Sequence, residues 1–466
     1  RQDFYRAPYS CTVCLNLVQV KNIIMKNLQP YRNDSEALYA RIAREFNLAT
    51  GRDLPSPTSV EIENFSGSQF RGGRVEAIEQ LQKIEPVRYG RTRNFVSGAV
   101  TKLSPWLRHG VLSLAEVRDA ALSKVQESSQ AEKLIAELGW RDYWQRVRAA
   151  RPEGVWHDLE PPVAKQRGQV VDYLPDAVAR GETGLDCIDA FCKKLIHDGW
   201  LHNHERMWLA SWLVHTHKVD WRVGAAWFLQ HLLDADSASN NFSWQWVAGT
   251  FSSKPYIFNR ENLERFTAGV YCGTCPVLGQ CDFEGTYEQL NEKLFIDTFD
   301  YREVRLTIPP VVSWDSPDIP KESLVWITLD SLSEGSPAKR RFPDSPAIFV
   351  FDHHWLSDEL PSYKRVAFVC ECLADLPDVE IWFGETATVL QERARSYKAN
   401  TISVASTSCP TVRHIADTLS GTMPVVSLDW PSFCDASKVK DLGRFSRYWN
   451  KVSKTALKPT CSDGSC

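Results

Sequence analysis

The sequence of 466 residues contains no apolar run that approaches the ~20 residues required by a membrane-spanning helix, which excludes a transmembrane protein. It also lacks a strong excess of charge. The formal net charge of −4 excludes a histone-like polycation but not a local nucleic-acid surface. The first residues contain no secretory apolar segment, and no internal repeat or low-complexity tract is present. We therefore expect a protein that is not secreted and has no membrane partner, located in the cytoplasm or in an organelle.

Two residue types are abundant in the sequence, which contains 17 tryptophans and 13 cysteines. Eleven of the tryptophans lie between Trp106 and Trp246, so one segment is dense in aromatic side chains. An odd number of cysteines in a chain of this length is typical of a reducing compartment and argues against a disulfide scaffold.

The pattern of apolar residues divides the chain into four parts. Residues 1–70 form an N-terminal extension with turn signals around short helical stretches, and residues 71–300 have apolar residues at the three- and four-residue spacing of helices. Residues 301–320 contain four prolines and form a linker. In residues 321–466, short runs such as LVWITLD, AIFVFD and VEIWFG alternate with helical patterns and end in a polar tail. This alternation predicts βαβ units, hence an all-helical domain followed by a Rossmann-like parallel α/β domain.

Several motifs follow one another between residues 72 and 250. They are VTKLSPWLRHGVLS, ELGWRDYW, GETGLD, GWLHNHERMWLASWL, DWRVGAAWF and LLDADSASNNFSWQWVAGT. In this order they resemble the photolyase/cryptochrome family. The resemblance implies that the helical part is an FAD-binding domain and that the α/β part resembles the family's antenna-type domain. Family members usually begin with the sheet domain, whereas here the corresponding strand starts at Leu324, so the order resembles a circular permutation. The antenna chromophore, if any, is not identified by the sequence.

Residues 86–115 contain no acidic residue and five basic residues. Backbone and hydroxyl donors ahead of Pro105 can gather at a helix N-terminus, where anions are favoured, although an ordinary capped helix with a solvated basic face is the alternative. The resemblance implies FAD phosphate contacts by Tyr89, Thr101, Lys102, Leu103 and Ser104. It also places Arg206, Asp234, Asp236 and Asn240 around the flavin ring. An Asp234–Arg206 pair there would be a buried charge pair, tolerated only if it is fully hydrogen-bonded.

Two tryptophans match the family's electron-transfer chain, Trp221 and Trp244. The third expected tryptophan is missing from the stretch QRGQVVDYLPDAVA, and Tyr173 or Trp156 is a possible substitute. Tryptophans at helical spacing are more often core residues. We therefore expect core positions for Trp200, Trp208, Trp212 and Trp227.

The resemblance also implies a lesion pocket beside the flavin. In it Glu137 would hydrogen-bond the pyrimidine carbonyls, Trp140 and Trp246 would stack on the bases, and Asn203 and Met207 would line the cavity. A solvated Glu137 and a core-filling Met207 are the alternatives. His204 departs from the arginine that is common among dimer-repair members, and the loss of that charge would weaken phosphate contact.

The resemblance implies light-driven repair of cyclobutane pyrimidine dimers by electron transfer from reduced FAD. The partner would be ultraviolet-damaged DNA, single- or double-stranded, and the protein a monomer. Two alternatives stay open: a cryptochrome-like blue-light photoreceptor without repair activity, and repair of (6-4) photoproducts. A flavin- or cluster-binding protein without a light function is a third.

Three cysteines lie in one Gly/Pro-rich stretch, YCGTCPVLGQC, at Cys272, Cys275 and Cys281. Soft thiolates at such spacing are typical of iron–sulfur or zinc sites. A subgroup of bacterial photolyases and cryptochromes holds a four-iron cluster with three cysteines in this region and a fourth where Cys187 stands, although the last spacing is shorter here. We favour a [4Fe–4S] cluster; zinc, a metal-free loop and a contribution from Cys11 and Cys14 stay open.

Overall fold

The computed structural model describes residues 25–298, 307–308 and 322–460. Most of the predicted linker 301–320 lies outside the described residues, as do Cys11 and Cys14. Within the described part of the chain, no helix is long and apolar enough to cross a membrane.

The helices lie mainly in the first two thirds of the chain. They are α1 (Ser35–Thr50), α2 (Ser59–Ser66), α3 (Arg74–Gln82), α4 (Pro86–Thr92), α5 (Ser104–Arg108), α6 (Leu114–Leu122), α7 (Glu132–Ala150), α8 (Asp176–Arg180), α9 (Asp186–Asp198), α10 (Asn203–Ser211), α11 (Trp221–His231), α12 (Ser237–Ala248), α13 (Arg260–Thr267), α14 (Tyr287–Leu294), α15 (Pro337–Arg341), α16 (His353–Glu359), α17 (Tyr363–Ala374), α18 (Thr386–Tyr397), α19 (Pro410–Ser420) and α20 (Phe445–Ala456). The strands are β1 (Lys26–Asn27), β2 (Ala164–Gln166), β3 (Phe295–Thr298), β4 (Leu324–Ile327), β5 (Ala347–Asp352), β6 (Val379–Gly384), β7 (Ile402–Ala405) and β8 (Val425–Leu428).

Polar caps fix where many of these helices begin. The Asp34 side chain accepts a hydrogen bond from the Ala37 backbone at the start of α1, and Thr58 forms a capping box with Glu61 at the start of α2. Such caps satisfy backbone N–H groups that have no partner within the helix. The predicted core tryptophans are buried as expected. They are Trp200, Trp208, Trp212 and Trp227.

The main sheet has six strands in the order β1-β6-β5-β4-β7-β8. Strands β4 to β8 are parallel, and β1 joins antiparallel to β6. Counted along the chain from β4, the parallel strands stand in the order 3-2-1-4-5, which is that of a doubly wound α/β sheet. The predicted parallel sheet is present. The prediction that residues 71–300 are all-helical is wrong, because β2 and β3 pair antiparallel within this range, and strands of three and four residues carry too short a pattern to be recognised in the sequence.

The two parts pack closely against each other. The carboxyl end of β4 meets α5, where the Arg108 guanidinium pairs with Asp330 and the Leu332 backbone donates to the His109 carbonyl at 2.8 Å. From α17 the Lys364 Nζ donates to the Ile196 carbonyl at 2.7 Å. The last helix, α20, lies against α7 in the helical part. The helical site residues are thus held partly by side chains that are distant in the sequence.

Candidate functional site

The predicted phosphate-binding segment leads into the short helix α5. Lys102 sits in the left-handed backbone region with a φ of 54°, and its Nζ donates to the Gln69 side chain at 2.9 Å. The ammonium groups of Lys102 and Lys194 lie 5.6 and 5.3 Å from the centre of the Trp200 ring. Burial and the neighbouring Lys194 lower the pKa of Lys102. Lys194 also pairs with the buried carboxylate of Glu205 at 2.8 Å, so Lys102 is the cation of this segment that fits a diphosphate group.

Ser104 connects this segment to the predicted flavin-ring residues. Its hydroxyl accepts a hydrogen bond from the Trp200 indole at 3.2 Å, and it hydrogen-bonds the Asp234 carboxylate. The predicted Asp234–Arg206 pair is present and bidentate, with N–O distances of 3.1 and 2.8 Å. Burial opposes ionisation of Asp234, but the Arg206 guanidinium outweighs it and holds the pKa of that carboxyl below its ordinary value. The pair therefore meets the condition under which a buried carboxylate is tolerated.

Asp236 caps the N-terminus of α12, where its carboxylate accepts from the Ala238 and Ser239 backbone N–H groups. It also faces three residues of α7 that sequence reasoning missed. Arg148, Gln145 and Arg141 lie 3.1, 2.5 and 3.5 Å from the carboxylate oxygens. Burial opposes the charge of Asp236, but these arginines hold its pKa far below the ordinary value.

The signal for the missed residues was the spacing along α7. Glu137, Arg141, Gln145 and Arg148 follow at intervals of four, four and three, which puts polar groups on one face of a helix. Asn240 lies one turn beyond Asp236 on α12, and its amide donates to the Ala225 carbonyl at 3.0 Å.

The two predicted electron-transfer tryptophans lie on the neighbouring helices α11 and α12. A side chain at Gly224 would meet the Trp244 ring within 2.2 Å, so this ring packs against α11 one turn beyond Trp221. The Trp221 indole donates to the Asp158 carboxylate at 2.8 Å, and the Arg222 guanidinium lies 4.7 Å from the centre of the Trp221 ring.

Both proposed substitutes for the missing tryptophan come from segments beside Trp221. The Trp156 carbonyl accepts from Arg222 at 2.7 Å. The Val171 carbonyl, two residues before the exposed Tyr173, accepts from the Asp220 backbone at 2.9 Å.

Glu137 lies in a cluster with Arg93 and Tyr89. Arg93 hydrogen-bonds the Glu137 carboxylate, and the carboxylate side chain is 34% exposed. Burial raises the pKa of Glu137 even though Arg93 acts in the opposite direction. The structure thus brings Tyr89, predicted as a phosphate contact, next to the predicted lesion contact. A carboxyl group of this kind can act as a hydrogen-bond donor closer to neutral pH than an ordinary one.

The other predicted lesion contacts have partners within the chain. The Trp140 ring stacks on Phe445 of α20, with 3.8 Å between ring centres and 11° between planes. Trp246 lies against Tyr256 at 5.6 Å. On α10 the Asn203 amide donates to the Met207 sulfur at 3.3 Å. Phe445 was not predicted, because it is more than three hundred positions away in the sequence.

His204 has a packing role in the structure. Its ring stacks between Trp208 and Phe266, with 5.1 and 5.0 Å between ring centres, and its Nδ1 lies 2.6 Å from the Asn94 carbonyl. Burial lowers the pKa of His204. The His204 ring therefore fills a packing position between two aromatic rings.

The four predicted metal-binding cysteines line one pocket. Cys187 belongs to the first turn of α9, and Cys272, Cys275 and Cys281 belong to the loop between α13 and α14. The rest of the lining is mostly apolar and consists of Leu185, Leu263, Leu278, Phe283, Tyr271 and the one cation Arg260. None of the described cysteines forms a disulfide. Burial and the neighbouring thiols Cys272, Cys275 and Cys281 raise the pKa of Cys187, and burial raises the pKa of Cys272 to about 11.

This donor set fits a cationic metal centre. Four thiolates in an apolar pocket repel one another unless a cation compensates them, and a bound metal deprotonates its thiols. A tetrahedral zinc ion with Zn–S bonds of about 2.3 Å needs sulfurs about 3.8 Å apart. Among the described residues, no three of these sulfurs lie within 4.8 Å of one another. Four cysteines in one pocket are a donor set that suits either a zinc ion or an iron–sulfur cluster.

Residues 134–268 match the family model described as the FAD binding domain of DNA photolyase. The chain is 37% identical over 203 residues to a deoxyribodipyrimidine photo-lyase of Streptomyces griseus, an alignment that covers 42% of this chain and 43% of the relative. It is 34% identical over 194 residues to a chloroplastic/mitochondrial cryptochrome DASH of Oryza sativa, which covers 39% and 33%. A solved bacterial class III photolyase from Agrobacterium tumefaciens matches with 30% identity and a TM-score of 0.40, over 47% and 48% of the two chains.

The chain thus carries a photolyase-type FAD-binding domain. Over part of its length the chain is similar to deoxyribodipyrimidine photo-lyases and to cryptochromes DASH. The matched segments span less than half the length of each of these relatives.

Proposed function

We propose that this protein repairs cyclobutane pyrimidine dimers in DNA in a light-driven reaction that uses reduced FAD. The observation that carries the proposal is Glu137, a partly exposed carboxyl with a raised pKa in the matched domain. Four curated relatives named deoxyribodipyrimidine photo-lyase, at 31–37% identity, support it.

The residues of the site fit FAD. Lys102 and Ser104 would hold the diphosphate. Arg206 and Asp234 would line the ring, and Ser104 joins them to the diphosphate site. When bound and reduced, FAD would supply the electron that light drives into the lesion.

Glu137 would hydrogen-bond the carbonyl oxygens of the dimer. Docking of a lesion would exclude water and displace Arg93 from the carboxylate, and both changes favour the protonated, hydrogen-bond-donating form. Trp246 and Trp140 would offer stacking faces, and damage lowers the cost of extruding the bases from the duplex.

The experiment uses the full-length protein with fully reduced FAD, illuminated with single-stranded and duplex oligonucleotides that carry either cyclobutane dimers or (6-4) photoproducts. We expect loss of cyclobutane dimers. We expect Glu137→Gln to slow repair at least tenfold, about 1.4 kcal/mol, with the flavin spectrum unchanged, and Glu132→Gln on the same helix to leave it intact. An intact dimer with fully reduced flavin would contradict the proposal, and exclusive loss of (6-4) photoproducts would replace it with the alternative lesion.

One observation favours the second candidate, a cryptochrome-like photoreceptor without repair activity. One face of Trp140 is covered by Phe445, so a base can stack there only after α20 moves. If the protein is a photoreceptor, illumination will reduce its flavin without consuming any lesion, and Phe445→Ala will not create repair.

We propose further that Cys187, Cys272, Cys275 and Cys281 hold a [4Fe–4S] cluster. Their shared pocket, which four cysteines line, supports this proposal. Anaerobically purified protein should contain iron and acid-labile sulfide, both lost in Cys272→Ala and kept in Cys370→Ala, a buried thiol of α17. Zinc without iron, or neither metal, would contradict the cluster.

We also infer a circularly permuted domain order, with an extension to about residue 70, the helical FAD domain to about residue 300 and the antenna-type domain from about residue 321. A groove of about 390 Å³ between the two parts, lined by Arg74, Ser333, Arg340 and Trp430 among others, is our candidate for the antenna chromophore. It lies at the carboxyl side of β4 and β8, where doubly wound sheets bind ligands. Sedimentation tests the oligomeric state, and we expect a monomer. The spectrum of the extracted chromophores tests whether the protein binds an antenna chromophore besides the flavin.

A further inference from the structure

Three consecutive residues at the end of β5 bring metal-ligating atoms together outside the sites described above. Asp352 ends the strand, and His353 and His354 begin α16. One ligand atom from each residue lies within 4.8 Å of those of the other two, and this is the one such group among the described residues. Asp352 and His353 are each 7% exposed, whereas His354 is exposed to solvent.

The imidazole of His353 provides a second, independent observation. Its Nε2 is buried and has no hydrogen-bond partner. The backbone of Gly384 hydrogen-bonds the ring, and Nδ1 is the nitrogen left for that bond. A buried ring nitrogen without a partner costs free energy, and metal-bound histidines characteristically give their other N–H to a backbone carbonyl or a carboxylate.

The carboxylate of Asp352 is also held in place by hydrogen bonds to the backbone. Its two carboxylate oxygens accept from the backbone N–H groups of His354 and Thr386, each at 2.8 Å. The hydrogen bond from the His354 backbone is explained by Asp352 capping α16. Capping does not explain why the Nε2 atom of His353 has no hydrogen-bond partner. Each oxygen keeps a lone pair for a cation.

The charges around the three residues favour a cation. Asp352 pairs in register with Gly384, so Glu385 follows directly on the neighbouring strand end. Asp358 and Glu359 lie on α16 itself. The opposing cations are Arg52, which donates to the Ser357 carbonyl, and Arg365, which pairs with Glu359.

We propose that Asp352, His353 and His354 bind one divalent transition-metal ion of the zinc class, with solvent in the remaining position. Two imidazoles and one carboxylate suit Zn²⁺, Co²⁺ or Ni²⁺, whereas Mg²⁺ and Ca²⁺ prefer sites made of oxygen atoms alone. Three protein ligands with one open position is a common zinc geometry. The ion would stabilise the first turn of α16, a helix that packs against α1 and α11.

Titration of the full-length protein with Co²⁺, followed by absorption, tests the site. Thiolate ligation at the cysteine pocket gives intense near-ultraviolet charge-transfer bands, whereas imidazole and carboxylate ligation gives weak ligand-field bands in the visible. We expect the wild type to show weak bands that do not depend on the cysteines and persist in Cys272→Ala. Zn²⁺ should displace the bound Co²⁺ and remove these bands.

We expect His354→Gln, a change on an exposed side chain, to weaken this binding at least tenfold, and His353→Gln to abolish it. His414→Gln, on the exposed surface of α19, is the control and should bind as the wild type does. The proposal is overturned if the weak bands are absent, or if His354→Gln and His353→Gln both bind Co²⁺ as tightly as the wild type.

Discussion

At the scale of single residues, the charge state of Asp234 depends on one partner. The side chain is almost completely buried, and Arg206 and Ser104 supply its hydrogen bonds. Its ionised form is therefore compatible with the interior only while Arg206 stays in place. The same argument applies to Asp236, which has several arginines around it and is correspondingly less dependent on any one of them.

We predict that Asp234→Asn lowers the free energy of unfolding by about 3 kcal/mol, because it leaves the Arg206 guanidinium without its counter-ion. FAD binding should weaken at the same time. Urea unfolding and flavin retention on gel filtration measure the two effects. Asp176→Asn, in an exposed position on α8, is the control and should change neither. Unchanged stability would show that the pair contributes nothing net.

If the protein repairs dimers as proposed, the raised pKa of Glu137 predicts the pH dependence of that repair. If the protonated carboxyl is the donor to the lesion, repair falls as the pH rises through that pKa, which lies above the ordinary value of about 4.3. Glu137→Gln cannot titrate, so its slower repair should be independent of this ionisation. Repair rates at a series of pH values, with Glu132→Gln as the control, test the sign. Repair that rises with pH in the wild type alone would assign the active form to the carboxylate.

The residue scale also shows which parts of the site could be predicted. Asp234 and Arg206 lie within motifs, so their pairing could be anticipated from the sequence. Phe445, which covers Trp140, could not, because nothing local indicates that α20 returns to α7. Arg148 and Arg141 carried a weaker signal in their helical spacing, but their partner Asp236 is fixed only by how α7 packs against α12.

At the scale of elements, the contact between α11 and α12 depends on Gly224. This helical glycine faces the Trp244 ring so closely that no Cβ fits without a shift of the ring. Close approach of the two helices places the Trp244 ring against α11 at Gly224, three residues after Trp221, and we propose that electrons pass between these two tryptophans.

We predict that Gly224→Ala destabilises the protein by about 1–3 kcal/mol through overpacking and slows flavin photoreduction by displacing Trp244. Gly90→Ala in α4 is the matched control. A Cβ at Gly90 makes only ordinary contacts, the nearest at 3.7 Å, and alanine has the higher helix propensity, so stability should stay equal or rise. Thermal unfolding and flash photoreduction measure both variants. Equal behaviour of the two alanines would contradict the packing argument.

Element prediction failed where an element is short and its partner is distant. Strand β1 has two residues and pairs with β6 more than three hundred positions away. A two-residue strand carries no period that a sequence pattern can reveal. Strands β4, β5 and β7 of the α/β part, by contrast, are fully buried and mostly apolar, and the alternation of such runs with helices was sufficient to predict a parallel sheet.

At the scale of the whole molecule, buried side chains tie the helical part to the sheet. The Arg108 guanidinium, almost fully buried, pairs with Asp330 after β4 and donates to the Ala235 carbonyl before α12. The Arg108 side chain therefore connects the carboxyl end of the central strand β4 to the segment that holds Asp234 and Asp236. Arg444, next to α20, pairs similarly with the buried Glu160 in the helical part. We expect the two parts to unfold as one cooperative unit.

Arg108→Met tests this cooperativity. The substitution leaves the Asp330 carboxylate without its guanidinium partner, which should lower the free energy of unfolding by about 3–5 kcal/mol. Hydrogen exchange followed by mass spectrometry should then show faster exchange in α12 and in the central strands β4 and β7 alike, because the slowest amides exchange through global unfolding. Arg180→Met removes an exposed ion pair on α8 and should leave both regions protected as in the wild type. Faster exchange confined to the sheet, with α12 still protected, would show instead that the parts unfold independently and that the contact at Arg108 only docks two self-sufficient domains.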